Sequence, residues 1–148
     1  DSQLTSDHGW DFHKHRSYLT DIIARIKRDS VRVAVFLDPD IEQVELAAQA
    51  GTDRIELYTE AFAKAFNTDD KTPVFESYKA ATLRAQKLAI GVNAGHDLSL
   101  QNLKIFLEIP GIQEVSIGHA LTVECIEQGI ETVIKQYLAI CQSAPSKL

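Results

Sequence analysis

Two hydrophobic periods take turns along the chain. Short runs with alternating or continuous apolar residues recur at "VRVAVFLD" (31–38), "DRIELYT" (53–59), "IGVNAG" (90–95) and "QEVSIG" (113–118). Each reads as a strand. Between and after them the apolar residues recur every three or four positions, the period of a helix packed on one face. The helical stretches are "IEQVELAAQA" (41–50), a segment broken near "NTDDKTP" (67–73) and resumed at "VFESYKAATLRAQKLA", then "LSLQNLKIFLEI", and a long helix from about Leu121 to Cys141. A further helix from about Phe12 to Arg28 precedes the first strand, with Leu19, Ile22, Ile23 and Ile26 on one stripe. Gly51, Pro110 and Gly111 punctuate helix-to-strand joints.

Strand and helix therefore repeat four times, which predicts a parallel sheet covered by helices. The alternation within the strands narrows the class. In "DRIELYT", Ile55 and Leu57 share one face while Arg54, Glu56 and Tyr58 share the other. An open doubly wound sheet wants both faces apolar. A (β/α)8 TIM barrel packs one strand face on helices and turns the other inward, here Glu56, Asn93 and Ser116. The barrel is the better reading of this α/β pattern. A whole barrel takes about 250 residues, so four units supply its second half, together with the preceding helix. Residues 1–148 then read as half of a single domain, with 1–11 a remnant of an active-site loop and 142–148 a tail.

Composition changes this picture little. The net charge of −6 argues against a nucleic-acid surface, which needs a basic face, but leaves room for a local anion pocket. Apolar runs stop far short of the ~20 residues of a membrane span, and no stretch has the layout of a secretory signal. The two cysteines, Cys125 and Cys141, fall in the predicted last helix. Sixteen residues at ~1.5 Å each separate them by roughly 24 Å, too far for a disulfide. Reduced thiols suit a cytoplasmic protein. The terminal Ser146–Leu148 spells a peroxisomal address, a match too short to carry a location.

The chemistry of a barrel sits where strands run into helices. Asp38, Glu56, Thr59, Asn93, His96 and His119 fall there. Two of those ends share a Gly-His pair, in "NAGH" and "SIGHA". A glycine allows close backbone approach, a helix N-terminus offers free N–H groups to phosphate, and a histidine moves a proton. Each residue also has a plain structural reading. A strand-end histidine can simply be hydrogen-bonded in place. Glu56 can be the ion-pair partner of Arg54 or Arg32. Asp38 in "FLDPD" reads as the cap of the helix beginning at Ile41. The cluster "DHGWDFHKH" (7–15) has irregular spacing and no cysteine pair, so it carries no metal motif, and no phosphate-binding glycine signature occurs.

In order, "TSDHGWDF", "VAVFLDPD", "RIELYTEAFA", "VNAGHDLS" and "SIGHA" resemble the C-terminal part of the pyridoxine 5′-phosphate synthase family, over nearly the whole chain. The resemblance implies condensation of 3-amino-2-oxopropyl phosphate with 1-deoxy-D-xylulose 5-phosphate, releasing phosphate and water, without metal or organic cofactor. His96 then matches the proton donor and Glu56 the glutamate that stabilises the transition state. Gly118 and His119 match the segment that binds the amino-ketone phosphate. Asp97 occupies another substrate contact, where some members have glycine. Thr5 matches a residue of the mobile loop over the pentulose phosphate. The family's first half, with its early His and Glu bases and its arginines, has no counterpart here. The resemblance thus implies an N-terminal half as partner and a homo-oligomer, an octamer. The other readings are a non-catalytic half-barrel that binds a phosphorylated ligand or self-associates, and a different phosphate-handling barrel such as an aldolase or isomerase. A Schiff-base aldolase would want a strand-end lysine, and none of the strands has one.

Overall fold

A computed structural model describes residues 6–145. Thr5 and the terminal Ser146–Leu148 lie outside the described residues. The four strands are β1 (Ala34–Leu37), β2 (Arg54–Tyr58), β3 (Gly91–Gly95) and β4 (Ile112–Ser116). They form one sheet in the order β1-β2-β3-β4, and every neighbouring pair is parallel. Ahead of the sheet runs α1 (Phe12–Lys27). Then follow α2 (Ile41–Gln49), α3 (Glu60–Ala65), α4 (Lys71–Lys87), α5 (Leu103–Phe106), α6 (His119–Gln128) and α7 (Ile130–Ser143).

The period-two reading of the strands carries over into burial. Ile55, Leu57, Val92 and Ala94 are wholly buried under the helices, and Phe62, Tyr78 and Phe106 cluster beneath them with ring centroids 5.1–6.3 Å apart. Burying each such ring contributes roughly 1.5–3 kcal/mol. On the opposite face, register aligns Phe36, Glu56, Asn93 and Glu114 in one row across the sheet. One residue pair further toward the strand ends, Tyr58, Gly95 and Ser116 form the next row. This face carries Arg54, Asn93 and Glu114 as a bonded set. Arg54 donates to Asn93 Oδ1 at 2.9 Å and pairs with Glu114 at 2.8 Å, while Asn93 Nδ2 donates to Glu114 at 2.9 Å. Arg32 also reaches Glu114, at 3.4 Å.

The structure corrects several boundaries. The helix expected over 121–141 is two helices. Gly129 sits between them at φ 87°, ψ 138°, a conformation that ends α6 and starts α7. Cys125 and Cys141 therefore lie on different helices; both are free. The helix expected over "LSLQNLKIFLEI" contracts to the single turn of α5, because turns on either side occupy the rest of the segment. Asp38 does not cap α2. Asp40 does, accepting from Glu42 N at 2.7 Å and Gln43 N at 3.1 Å. Asp38 instead accepts from Gly9 N at 3.2 Å and so ties the segment before α1 to the end of β1. On the stripe of α1, Leu19 and Ile23 are buried, but Ile26 is exposed.

Among the described residues no helix is long and apolar enough to cross a membrane. None of them gathers three metal-ligating side chains at one point.

Candidate active site

The end of β3 carries two consecutive non-glycine residues at positive φ. After Gly95, His96 takes φ 91° and Asp97 φ 57°. Consecutive left-handed residues other than glycine are costly and persist only where surroundings hold them. Two side chains do the holding. Thr59, fully buried at the end of β2, directs its hydroxyl at Gly95 O (2.8 Å) and at His96 O, while its own N–H donates to Gly95 O at 3.0 Å. Asn102, also buried, donates to Asp97 O at 3.1 Å and accepts from Ser99 N at 2.9 Å. At φ 57° the position of Asp97 suits a glycine, and aspartate is among the residues that tolerate left-handed backbone.

The His96 ring rests edge-on against Tyr58, with centroids 4.7 Å apart, and Tyr58 in turn meets Phe36 at 5.3 Å. Tyr58 is fixed from behind, where Tyr78 Oη donates to its carbonyl at 2.5 Å. Burial, with the Glu60 carboxylate beside it, pushes the Tyr58 phenol up to about 12, so it stays neutral. Glu60 itself is held below the usual carboxylate range, chiefly by its bond to Lys64. His96 Nδ1 is buried and, among the described residues, has no hydrogen-bond partner. The Asp97 carboxylate stands 3.5 Å from it.

Glu56 does not pair with Arg54 or Arg32, since both arginines turn to Glu114. Its carboxylate instead lies across Gly95. A Cβ built on Gly95 would meet Glu56 Oε1 at 2.5 Å and Ser116 Cβ at 3.0 Å. Gly95 thus carries His96 on its C-terminal side and makes room for the Glu56 carboxylate from the neighbouring strand. One residue serves both groups.

The second Gly-His pair is built differently. Gly118 is the N-cap of α6, two residues past Ser116, which is the register partner of Gly95. It therefore emerges at the same end of the sheet as His96, one strand over. A Cβ on Gly118 would meet nothing within 4 Å, and both Gly118 and His119 are exposed. Gly118 O accepts from Thr122 N at 3.2 Å and Thr122 Oγ1 at 3.3 Å, opening α6, whose first N–H groups have no partner within the helix.

A cleft of about 720 Å³ opens beside the outer edge of β1, where Trp10 N donates to Phe36 O at 2.8 Å, between Trp10, Lys14, Phe36, Asp38 and Gln43. It is at the same end of the sheet but does not include Glu56 or His96. Register thus places Glu56, His96, Asp97, Gly118 and His119 toward the same end of three adjacent strands. Thr5 lies outside the described residues. The parts that sequence reasoning left without a role are Gly95 as the seat of Glu56, and Thr59 and Asn102 as the clamps on the loop. Their signal was faint, since a buried threonine or asparagine in a loop looks like any turn residue.

Against known proteins, the model of the family described as pyridoxal phosphate biosynthesis protein PdxJ matches residues 1–143. The chain is 46% identical over 141 residues to a pyridoxine 5′-phosphate synthase of Christiangramia forsetii, covering 95% of this chain and 59% of that one. It is 47% identical to the protein of the same name from Flavobacterium johnsoniae, covering 91% and 57%, and 43% identical to that of Agrobacterium fabrum, covering 95% and 57%. The chain thus spans less than three fifths of the length of these curated relatives. With the motifs, the four-unit parallel fold and the family model in agreement, the chain belongs to the pyridoxal phosphate biosynthesis protein PdxJ family.

Proposed function

We propose that this chain is the second half of a (β/α)8 barrel that forms pyridoxine 5′-phosphate from 3-amino-2-oxopropyl phosphate and 1-deoxy-D-xylulose 5-phosphate. The observation that carries the reading is the convergence of Glu56 and His96 on Gly95, at the end of the sheet where barrels place their chemistry. Ring closure needs repeated proton transfers at carbonyl and imine carbons. That work suits a positioned histidine and carboxylate and requires no metal or organic cofactor from this half. His96 gives the proton, its reactive face turned from the buried Nδ1. Glu56, free of any arginine partner among the described residues, stabilises the positive charge that builds up on the condensing nitrogen and carbon.

The exposed Gly118 and His119 at the head of α6 receive the phosphate of the amino-ketone, because free helix N–H groups and an absent side chain favour an anion there. Asp97 contacts this substrate through its backbone, since a carboxylate aimed at a phosphate would repel it. Thr5 belongs to the loop over the pentulose phosphate.

The N-terminal half is the natural partner. It pairs with the open strand edges, brings the remaining bases and arginines, and covers the apolar residues that α6 and α7 expose, among them Ile126 at 81% and Ile130 at 69%. The completed protein is a cytoplasmic homo-oligomer, an octamer, acting on small phosphorylated substrates and not on nucleic acid or membrane. The second reading, a non-catalytic half-barrel that self-associates, is favoured by the same exposed apolar residues. Mixing separates them. The 148-residue chain is assayed for pyridoxine 5′-phosphate alone and with the separately made first two fifths of the Flavobacterium johnsoniae relative. Product formed only in the mixture supports the synthase. A stable self-assembly that ignores the added half and makes no product overturns it.

A further inference from the structure

We propose that Asp97 is the positioning residue of His96: its carboxylate accepts a hydrogen bond from Nδ1–H of the imidazole and so presents Nε2 to the substrate. The inference rests on the reading of His96 as proton donor and extends it to a residue whose expected part was substrate contact. Three observations point the same way. His96 Nδ1 is sealed from solvent and has no hydrogen-bond partner among the described residues. A buried polar atom left unmet is costly, so a partner is wanted there. The Asp97 carboxylate is already 3.5 Å away, and its side chain, 45% exposed, has freedom to turn through the last few tenths of an ångström.

The Glu60 carboxylate, which also feels His96, is paired with Lys64 at 2.9 Å, and two further neighbours of the ring are committed. Tyr58 offers it a ring edge, with its phenol beside Glu60. Thr59 spends its single O–H on the carbonyls of Gly95 and His96. Meanwhile Asn102 holds the Asp97 backbone by donating to its carbonyl at 3.1 Å, with the carboxylate 3.5 Å from Nδ1.

The consequence is a fixed tautomer. With Nδ1–H held by Asp97, the imidazolium gives up its Nε2 proton to the substrate and becomes the neutral Nδ1–H ring. Nε2 then carries the lone pair that recovers a proton at a later step. No other reactant is needed. A carboxylate that orients an imidazole through its far nitrogen is a general device of acid–base catalysis.

The test uses the complete polypeptide carrying these residues, labelled with ¹⁵N at histidine, with the His96 signals assigned by their loss in His96→Gln. Asp97→Gly is the informative variant, because φ 57° suits glycine and the fold should stand. Expected are the Nδ1–H tautomer in the parent, a shift to mainly Nε2–H in Asp97→Gly, and a fall in kcat of at least about tenfold with KM for the amino-ketone phosphate nearly constant. Asp97→Asn, whose carbonyl still accepts from Nδ1–H, should restore the tautomer and much of the rate. An unchanged tautomer in Asp97→Gly, or a loss confined to KM, overturns the proposal. The tautomer is read without any turnover, so its result stands apart from whether the synthase reading holds.

Discussion

Glu56 Oε1 lies 2.5 Å from the place a Cβ on Gly95 would occupy. The glutamate of one strand is thus seated on the glycine that introduces the histidine of the next. Gly95→Ala should move the Glu56 carboxylate and press on Ser116, at a stability cost of about 1–3 kcal/mol for overpacking. Its larger effect should be on turnover, matching Glu56→Gln, which should lower kcat more than it weakens binding. Denaturation midpoints and steady-state rates of the two variants check this. A Gly95→Ala protein with normal kcat would show that the carboxylate position does not matter.

Gly118 makes the opposite case. No neighbour within 4 Å opposes a side chain there, so Gly118→Val should fold and melt like the parent. Any deficit should appear as affinity for the amino-ketone phosphate, weakened at least about tenfold, which is about 1.4 kcal/mol. Calorimetric titration of the assembled protein measures it. Undiminished affinity would remove Gly118 from the phosphate site.

Gly129 is a purely conformational glycine. Its φ of 87° favours glycine and nothing crowds a Cβ. Gly129→Ala should destabilise the α6–α7 junction by about 1–3 kcal/mol and leave substrate affinity alone, as urea unfolding and titration together will show.

Acid stability should carry a mark of Asp11. Its hydrogen bond to Lys14 and its capping of α1 hold its carboxyl down at about 2, against an ordinary 3.8. A folded value below the unfolded one stabilises at pH above 3.8 and is lost as pH falls toward about 2. Asp53, lowered chiefly by its bond to Lys27, acts in the same sense. Asp11→Asn should therefore flatten the fall in melting temperature across that window. An acid limb as steep as the parent's would contradict the assignment.

The strands were legible because a half-buried sheet writes period two directly into the chain: Ile55 and Leu57 are buried, and Glu56 between them is not. The position of the histidines at strand ends followed from the same pattern. What stayed hidden has physical reasons. Gly129 interrupts an apolar pattern that continues on both sides, and a mid-helix glycine costs only about 1 kcal/mol, so the pattern alone does not announce a break. Asp38 and Asp40 are equally good caps by type, but only Asp40 immediately precedes Ile41 and reaches the Glu42 and Gln43 amides, while Asp38 meets Gly9. The clamp from Thr59 to the loop after β3 joins residues 36 and 37 positions apart, a relation created by the pairing of β2 with β3. The left-handed turn at His96 and Asp97 is likewise a product of that clamp.

The central claim is that His96 moves a proton in ring formation, and one rate decides it. In the assembled protein, formation of pyridoxine 5′-phosphate by His96→Ala is compared with the parent at saturating concentrations of both substrates. The account predicts a loss of about a hundredfold or more, the usual weight of a general acid, with the fold intact by circular dichroism. Turnover within a few-fold of the parent would remove His96 as the donor, and with it the reading of this end of the sheet as the reacting site.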